Sequence, residues 1–149
     1  MNVRKLIVLG VALTGANVGG WAQTNTQVYS LADGSLLTDD CPICDRLPTV
    51  LPLTGTFKLS LLEETPLSRR YQLTDIDFQA GSKSNRLYTV SGTGVYEVGG
   101  EVAVSQNMFL DVQVNPNGVG PIEALCANSD RTVSSAWPKL RIHVDQTNG

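Results

Sequence analysis

Apolar residues recur at every second position along much of this chain, and this period of two constrains the fold more than any other feature. Leu110, Val112 and Val114 follow this spacing, as do Phe57 and Leu59. Successive side chains of a β-strand point to opposite faces, so each run places apolar groups on one face and polar groups on the other. The alternation predicts antiparallel strands that are half buried.

One run changes phase part-way, which predicts an irregularity in its strand. Tyr71 and Leu73 set one phase, whereas Ile76 sets the opposite one. A one-residue slip would turn the later side chains away from the core, so we expect a β-bulge or bend near Thr74 and Asp75.

Glycines suggest where neighbouring strands turn or approach closely. Gly99 and Gly100 lie between two β-like runs, and this pattern predicts a tight two-residue hairpin turn that joins residues 94–98 to a strand starting at Glu101. Gly92 and Gly94 interrupt the first of these runs, which is typical of a bend or a close backbone contact.

The last part of the chain holds one ambiguous segment and one further strand. Residues 122–128 follow Pro121 and suit either a turn or two of helix or an irregular strand. Leu140, Ile142 and Val144 alternate with polar residues and predict a final strand. We therefore predict an all-β, single-domain antiparallel sandwich or partly closed barrel of about seven or eight strands, with at most one short helix.

The first residues resemble a secretory signal peptide. Arg4 and Lys5 precede an apolar run over residues 6–13, and small residues stand at Gly20 and Ala22. The run is shorter than the roughly 20 residues that a spanning helix needs, so we expect no transmembrane anchor. Cleavage after Ala22 would leave residues 23–149 as one β-rich domain, secreted or, in a bacterium with an outer membrane, periplasmic.

Charge excludes one class of partner. Without Arg4 and Lys5, nine of the eleven basic residues remain against fourteen acidic ones. Phosphate binding needs clustered Lys and Arg, so we expect no nucleic-acid partner, and a cell-envelope or extracellular partner suits an exported chain better.

Three cysteines allow several interpretations. Cys41 and Cys44 form a Cys-x-x-Cys pair that suits a redox dithiol, half of a zinc site or a local disulfide. Aspartates and prolines around the pair oppose a stabilised thiolate, and a zinc site would need Cys126 and His143 at spacings untypical of zinc ligands. A structural disulfide is favoured. The local Cys41–Cys44 link is preferred, and a link from this pair to Cys126 is the alternative.

Other candidate sites are weaker. Asp39, Asp40 and Asp45 crowd a stretch that looks irregular and could offer oxygen ligands to calcium, although they lack a calcium-loop spacing. Asp75 and Asp77 share a face but belong to one strand, whereas a glycosidase needs acids facing each other across a cleft. The sequence assigns no catalytic residue and no cofactor.

Several short motifs together resemble exported bacterial β-rich modules that have no characterised activity. The resemblance covers most of residues 23–149 and implies a secreted structural or recognition module. The matching motifs are Asp39-Asp40-Cys41-Pro42-Ile43-Cys44, Gly55-Thr56-Phe57, Gly92-x-Gly94-x-Tyr96, Gly99-Gly100-Glu101-Val102-Ala103 and Gln106-x-Met108.

Three functions follow as expectations. The first is an exported non-enzymatic structural, adhesive or recognition module whose loops carry any recognition. The alternative is a small apolar-ligand carrier of the β-barrel type, because an eight-stranded barrel of this size can enclose one ligand. A secreted enzyme or inhibitor comes third. An enclosed apolar cavity would favour the carrier, and converging titratable side chains would favour the enzyme.

Overall fold

The computed structural model describes residues 4–8, 11–12, 26–41, 46–82, 84–117 and 119–147, and this part of the chain is all-β, with no helix in these ranges. Its strands are β1 Arg4–Val8, β2 Val11–Ala12, β3 Thr26–Leu31, β4 Leu36–Asp40, β5 Thr49–Glu64, β6 Ser68–Ser82, β7 Asn85–Gly99, β8 Ser105–Pro116, β9 Ile122–Ala127 and β10 His143–Gln146.

The strands form an antiparallel sheet in which β5 to β10 follow one another as neighbours. Strands β3 and β4 both pair with the other edge of β5. In the described part of the chain, β4 and β10 do not pair with each other, so the eight strands β3–β10 do not close into a barrel by themselves. The predicted fold, an antiparallel sandwich or partly closed barrel, is confirmed.

Two strands lie inside the predicted signal peptide. β1 pairs with β4 on one side and β10 on the other, and β2 pairs with β3. The rest of residues 1–22 lies outside the described residues, and its removal after Ala22 stays a prediction.

The period of two correctly identified most of the core. Leu110, Val112 and Val114 are buried on β8, and Phe57 and Leu59 are buried on β5. Each such side chain stabilises the fold by about 1.5–3 kcal/mol relative to an exposed one. Further along β5, burial declines, and residues 61–64 are exposed where the strand runs past the core.

The predicted bulge is confirmed in β6. Its pairing with β7 shifts between Leu73 and Ile76, and Asp75 has a φ of 50°. The shift returns Ile76 to the buried face, while the exposed Asp75 carboxylate lies 2.6 Å from the ammonium of Lys58.

The predicted two-residue turn at Gly99–Gly100 is wrong. Gly99 still pairs with Ser105, so the connection between β7 and β8 comprises residues 100–104. Gly99 stays in the strand because its missing side chain lets the Leu67 carbonyl approach, and the Gly100 amide donates to that same oxygen at 2.9 Å. The positive φ predicted for the turn is found at Gly100, at +155°.

The helical interpretation of residues 122–128 is also wrong. Residues 122–127 form β9, because Ala124 and Cys126 are buried at every second position against β8, and burial outweighs helix propensity. The final strand is shorter than predicted. Leu140, Ile142 and Val144 are all buried, but strand pairing begins only at His143.

Candidate ligand-binding site

The segment that connects β9 to β10, residues 128–142, carries the side chain around which the site is built. The Trp137 ring stacks on Tyr71 of β6, with centroids 5.3 Å apart and planes 20° apart. It also lies 6.3 Å from the ring of Tyr29 in β3. Trp137 remains 45% exposed, so the stack has a face open to solvent.

A cleft of about 430 Å³ lies between the 128–142 segment and strands β6 to β8. Its volume falls within the range of small-molecule sites, which are mostly apolar with a few polar groups. A second cleft of about 190 Å³ shares Arg69, Tyr71 and Trp137 with the first. The first cleft is lined by Arg69, Tyr71, Tyr96, Val98, Val104, Gln106, Val133, Ser135, Ala136, Trp137, Lys139 and Leu140.

The buried side chain of Gln106 in β8 attaches the 128–142 segment to the sheet. Its Nε2 donates to the carbonyl oxygens of Thr132 at 2.8 Å and Arg141 at 3.0 Å. Its Oε1 accepts from the Tyr96 hydroxyl at 3.3 Å. One amide side chain thus ties both halves of the segment to β8 and β7.

Asn128 provides a second attachment where the segment leaves β9. Its Oδ1 accepts from the Met108 amide at 2.7 Å, and its Nδ2 donates to the Gln106 carbonyl at 2.9 Å. The side chain of Asn128 thus binds backbone groups of β8 in the way that a neighbouring strand would. The 128–142 segment, which forms the cover of the cleft, is therefore largely pre-formed. This lowers the entropy cost of binding a ligand.

The phenols beside the cleft stay neutral at physiological pH. Burial raises the pKa of Tyr29 to about 12, with a smaller contribution from Tyr71. Burial also raises the pKa of Tyr96 and of Tyr71. The three tyrosines are therefore uncharged, and the hydroxyls of Tyr29 and Tyr96 already donate to Gln27 and Gln106.

Basic groups line the first cleft together with the rings of Tyr71, Tyr96 and Trp137. Arg69 is held by Glu64, with Nε and Oε1 2.7 Å apart. Lys139 also lines the cleft, where its backbone amide donates to the Ala136 carbonyl and its own carbonyl accepts from the Ser135 hydroxyl. This combination suits a flat apolar ring that carries an anionic or hydrogen-bond-accepting group.

The structure separates the predicted calcium ligands. Asp39 and Asp40 belong to strand β4 and not to an irregular stretch, so successive side chains diverge. The Asp39 carboxylate is buried, with Arg46 Nη2 2.5 Å from Oδ1 and the Tyr88 hydroxyl donating to Oδ2. Asp45 lies outside the described residues.

Cys126 is a free, buried cysteine, so the alternative disulfide to Cys126 is wrong. It occupies the place of a small apolar core residue on β9. Cys41 is also buried, whereas Cys44 lies outside the described residues, so the local Cys41–Cys44 disulfide stays a prediction.

The zinc candidates are not gathered into a site by the described part of the chain. His143 is exposed on β10 and lies 3.2 Å from Asp145, whereas Cys126 is buried in the core. Within the ranges that the structure describes, no three His, Cys, Asp or Glu side chains form a group that could hold a metal ion.

Sequence reasoning did not single out Trp137, Tyr71 or Gln106 as site residues. Trp137 offered a signal, because it is the one tryptophan outside residues 1–22 and it stands between Ser134-Ser135-Ala136 and Pro138 rather than in an alternating run. Gln106 gave none, since its burial depends on the distant 128–142 segment.

Comparisons with protein-family models, with curated proteins and with solved structures found no match. Among the described residues, no helix is long and apolar enough to span a membrane.

Proposed function

We propose that this chain is an exported, non-enzymatic recognition module that binds a small planar ligand in the cleft beside Trp137. The observation that carries the proposal is the stack of Trp137 on Tyr71 at the side of a cleft of about 430 Å³. Because Gln106 and Asn128 hold the cover in place, the aromatic faces are positioned before a ligand arrives.

The lining favours one ligand chemistry. Tyr71 and Trp137 offer stacking surfaces, while Lys139 supplies positive charge and Arg69 is paired with Glu64. We therefore expect a flat, mostly apolar ring with an anionic or accepting substituent. We place the ligand at the cleft and not within the sheet, since fully buried side chains such as Phe57 and Phe78 occupy the interior.

Export is the second part of the proposal. The charged start, apolar run and small residues at Gly20 and Ala22 support a bacterial signal peptide and a cell-envelope or extracellular ligand source. The local Cys41–Cys44 disulfide belongs to the same proposal, because an oxidising compartment favours it.

Fluorescence of Trp137 tests the ligand site. In a Trp21→Phe background, Trp137 is the one tryptophan, and anilinonaphthalene sulfonate serves as an anionic probe with a flat naphthalene ring. We expect saturable quenching of Trp137 with an unchanged far-ultraviolet dichroism spectrum, which reports the backbone fold. Tyr71→Ala should weaken probe binding roughly three- to tenfold, because it removes the ring that stacks on Trp137.

Phe109→Ala is the matched control. Phe109 is an aromatic residue of β8 that is 59% exposed and does not line this cleft. We expect its replacement to leave the affinity for the probe unchanged. Equal losses in the two variants, or quenching that never saturates, would refute the proposed site.

A further inference from the structure

The eight strands β3–β10 leave one gap, and β1 fills it. Leu6 of β1 lies opposite Leu37 of β4 on one side and opposite Val144 of β10 on the other. Both pairings are antiparallel. Without β1, the edges of β4 and β10 would present unpaired backbone amides and carbonyls, a state that sheet proteins usually avoid.

The gap has a defined chemistry along its length. Leu37 and Val144 are both fully buried and flank its middle. At one end, Arg4 lies opposite Asp40. The site therefore matches an extended segment that has an apolar residue at its centre and a basic residue two positions earlier.

The residues that fill the gap also lie within the predicted signal peptide. If residues 1–22 are removed on export, the exported chain loses its closing strand and keeps the two edges. The same backbone groups then remain available to another strand, and strand addition draws its affinity from main-chain hydrogen bonds and its specificity from alternate side chains.

We propose that the gap between β4 and β10 is a strand-accepting site that binds an extended peptide of a partner protein in place of β1. The peptide runs antiparallel to β4 and β10, carries apolar residues at alternate positions and places a basic residue at Asp40. This inference rests on the export part of the proposed function, because the gap opens only when residues 1–22 are removed, and it does not depend on the cleft beside Trp137.

The test begins with the full chain, folded intact. A protease site introduced within residues 19–25, outside the described part, allows the chain to be cut after folding. We expect the N-terminal fragment to stay associated on gel filtration. We also expect a dye-labelled peptide of residues 4–12 to replace it in a saturable manner.

A peptide with proline at positions 6 and 8 is the control, because proline lacks the amide that a ladder requires. We expect it to bind at least about tenfold more weakly, since it loses amide donors of the strand ladder. Equal binding of the two peptides would overturn the proposal.

Amide exchange provides an independent readout on the cut protein. We expect the amides of β4 and β10 to exchange faster when the fragment leaves and to regain protection when the labelled peptide binds. A fragment that separates at once with no change in exchange at β4 and β10 would also overturn the proposal.

Discussion

Gln106 illustrates how one buried polar residue can determine the position of a long connection. Its side-chain amide binds two backbone carbonyls of the 128–142 segment and the Tyr96 hydroxyl. Buried groups of this kind are costly when they lose their partners. The same residue that orders the cover of the cleft therefore also supports the stability of the sheet.

Replacing Gln106 by Ala should lower the free energy of unfolding by about 1–3 kcal/mol, because the carbonyls of Thr132 and Arg141 lose their donor. Urea denaturation measures the change. Gln113→Ala is the control on the same strand, since Gln113 is exposed, and it should change stability by less than about 0.5 kcal/mol. Equal effects of the two substitutions would contradict the role given to Gln106.

Cys126 gives the fold an alkaline sensitivity. Burial raises the pKa of its thiol from 9.0 to about 11, and the nearby Asp145 adds to the rise. The raised pKa means that burial of the neutral thiol contributes fully to stability below pH 9, and this contribution is lost as the pH rises towards 11. We expect stability to fall over this range, and to fall less in a Cys126→Ala variant.

Thiol labelling checks the same residue directly. At neutral pH, Cys126 should react slowly with a thiol reagent in the native protein and fast in urea, because burial keeps the reagent from the thiol and disfavours the thiolate. One thiol per unfolded, unreduced chain is the expected count if Cys41 and Cys44 are linked. Fast labelling of the native protein would contradict the burial of Cys126.

At the scale of elements, close backbone contact between β7 and β8 depends on Gly92. A Cβ at Gly92 would lie 2.2 Å from the Asp111 carbonyl oxygen, and the residue has a φ of +152°. We expect Gly92→Ala to cost at least about 2 kcal/mol of unfolding free energy, from a clash and a strained backbone together.

Gly120→Ala is the matched control, since nothing lies within 4 Å of a Cβ at that position. It should leave the thermal midpoint nearly unchanged, whereas Gly92→Ala lowers it. A Gly92→Ala protein that melts like the wild type would mean that β7 and β8 are not paired in this register.

Local sequence pattern predicted the elements whose cause is local. The phase change after Leu73 located the bulge at Asp75, and the spacing of Leu110, Val112 and Val114 identified the buried face of β8. Local sequence pattern did not predict the secondary structure where contacts between distant segments determine it. Residues 122–127 form a strand because β8 and β10 lie beside them.

At the scale of the whole molecule, the candidate site could not be predicted from spacing. Tyr29, Tyr71 and Trp137 come from three distant parts of the chain and meet only after the sheet has formed. Burial of Gln106 has the same origin. The sheet topology therefore creates the cleft. In the sequence, Trp137 was the one residue that indicated such a site.

The most direct test of the proposed cleft is to map where the anionic aromatic probe binds, by amide chemical shifts in the full chain. We predict that anilinonaphthalene sulfonate shifts the amides of Val98, Gln106 and Leu140, which line the cleft, and leaves those of Val112 and Ala124 in place. Shifts centred on β8 and β9 away from the cleft, or spread evenly over the sheet, would contradict the account.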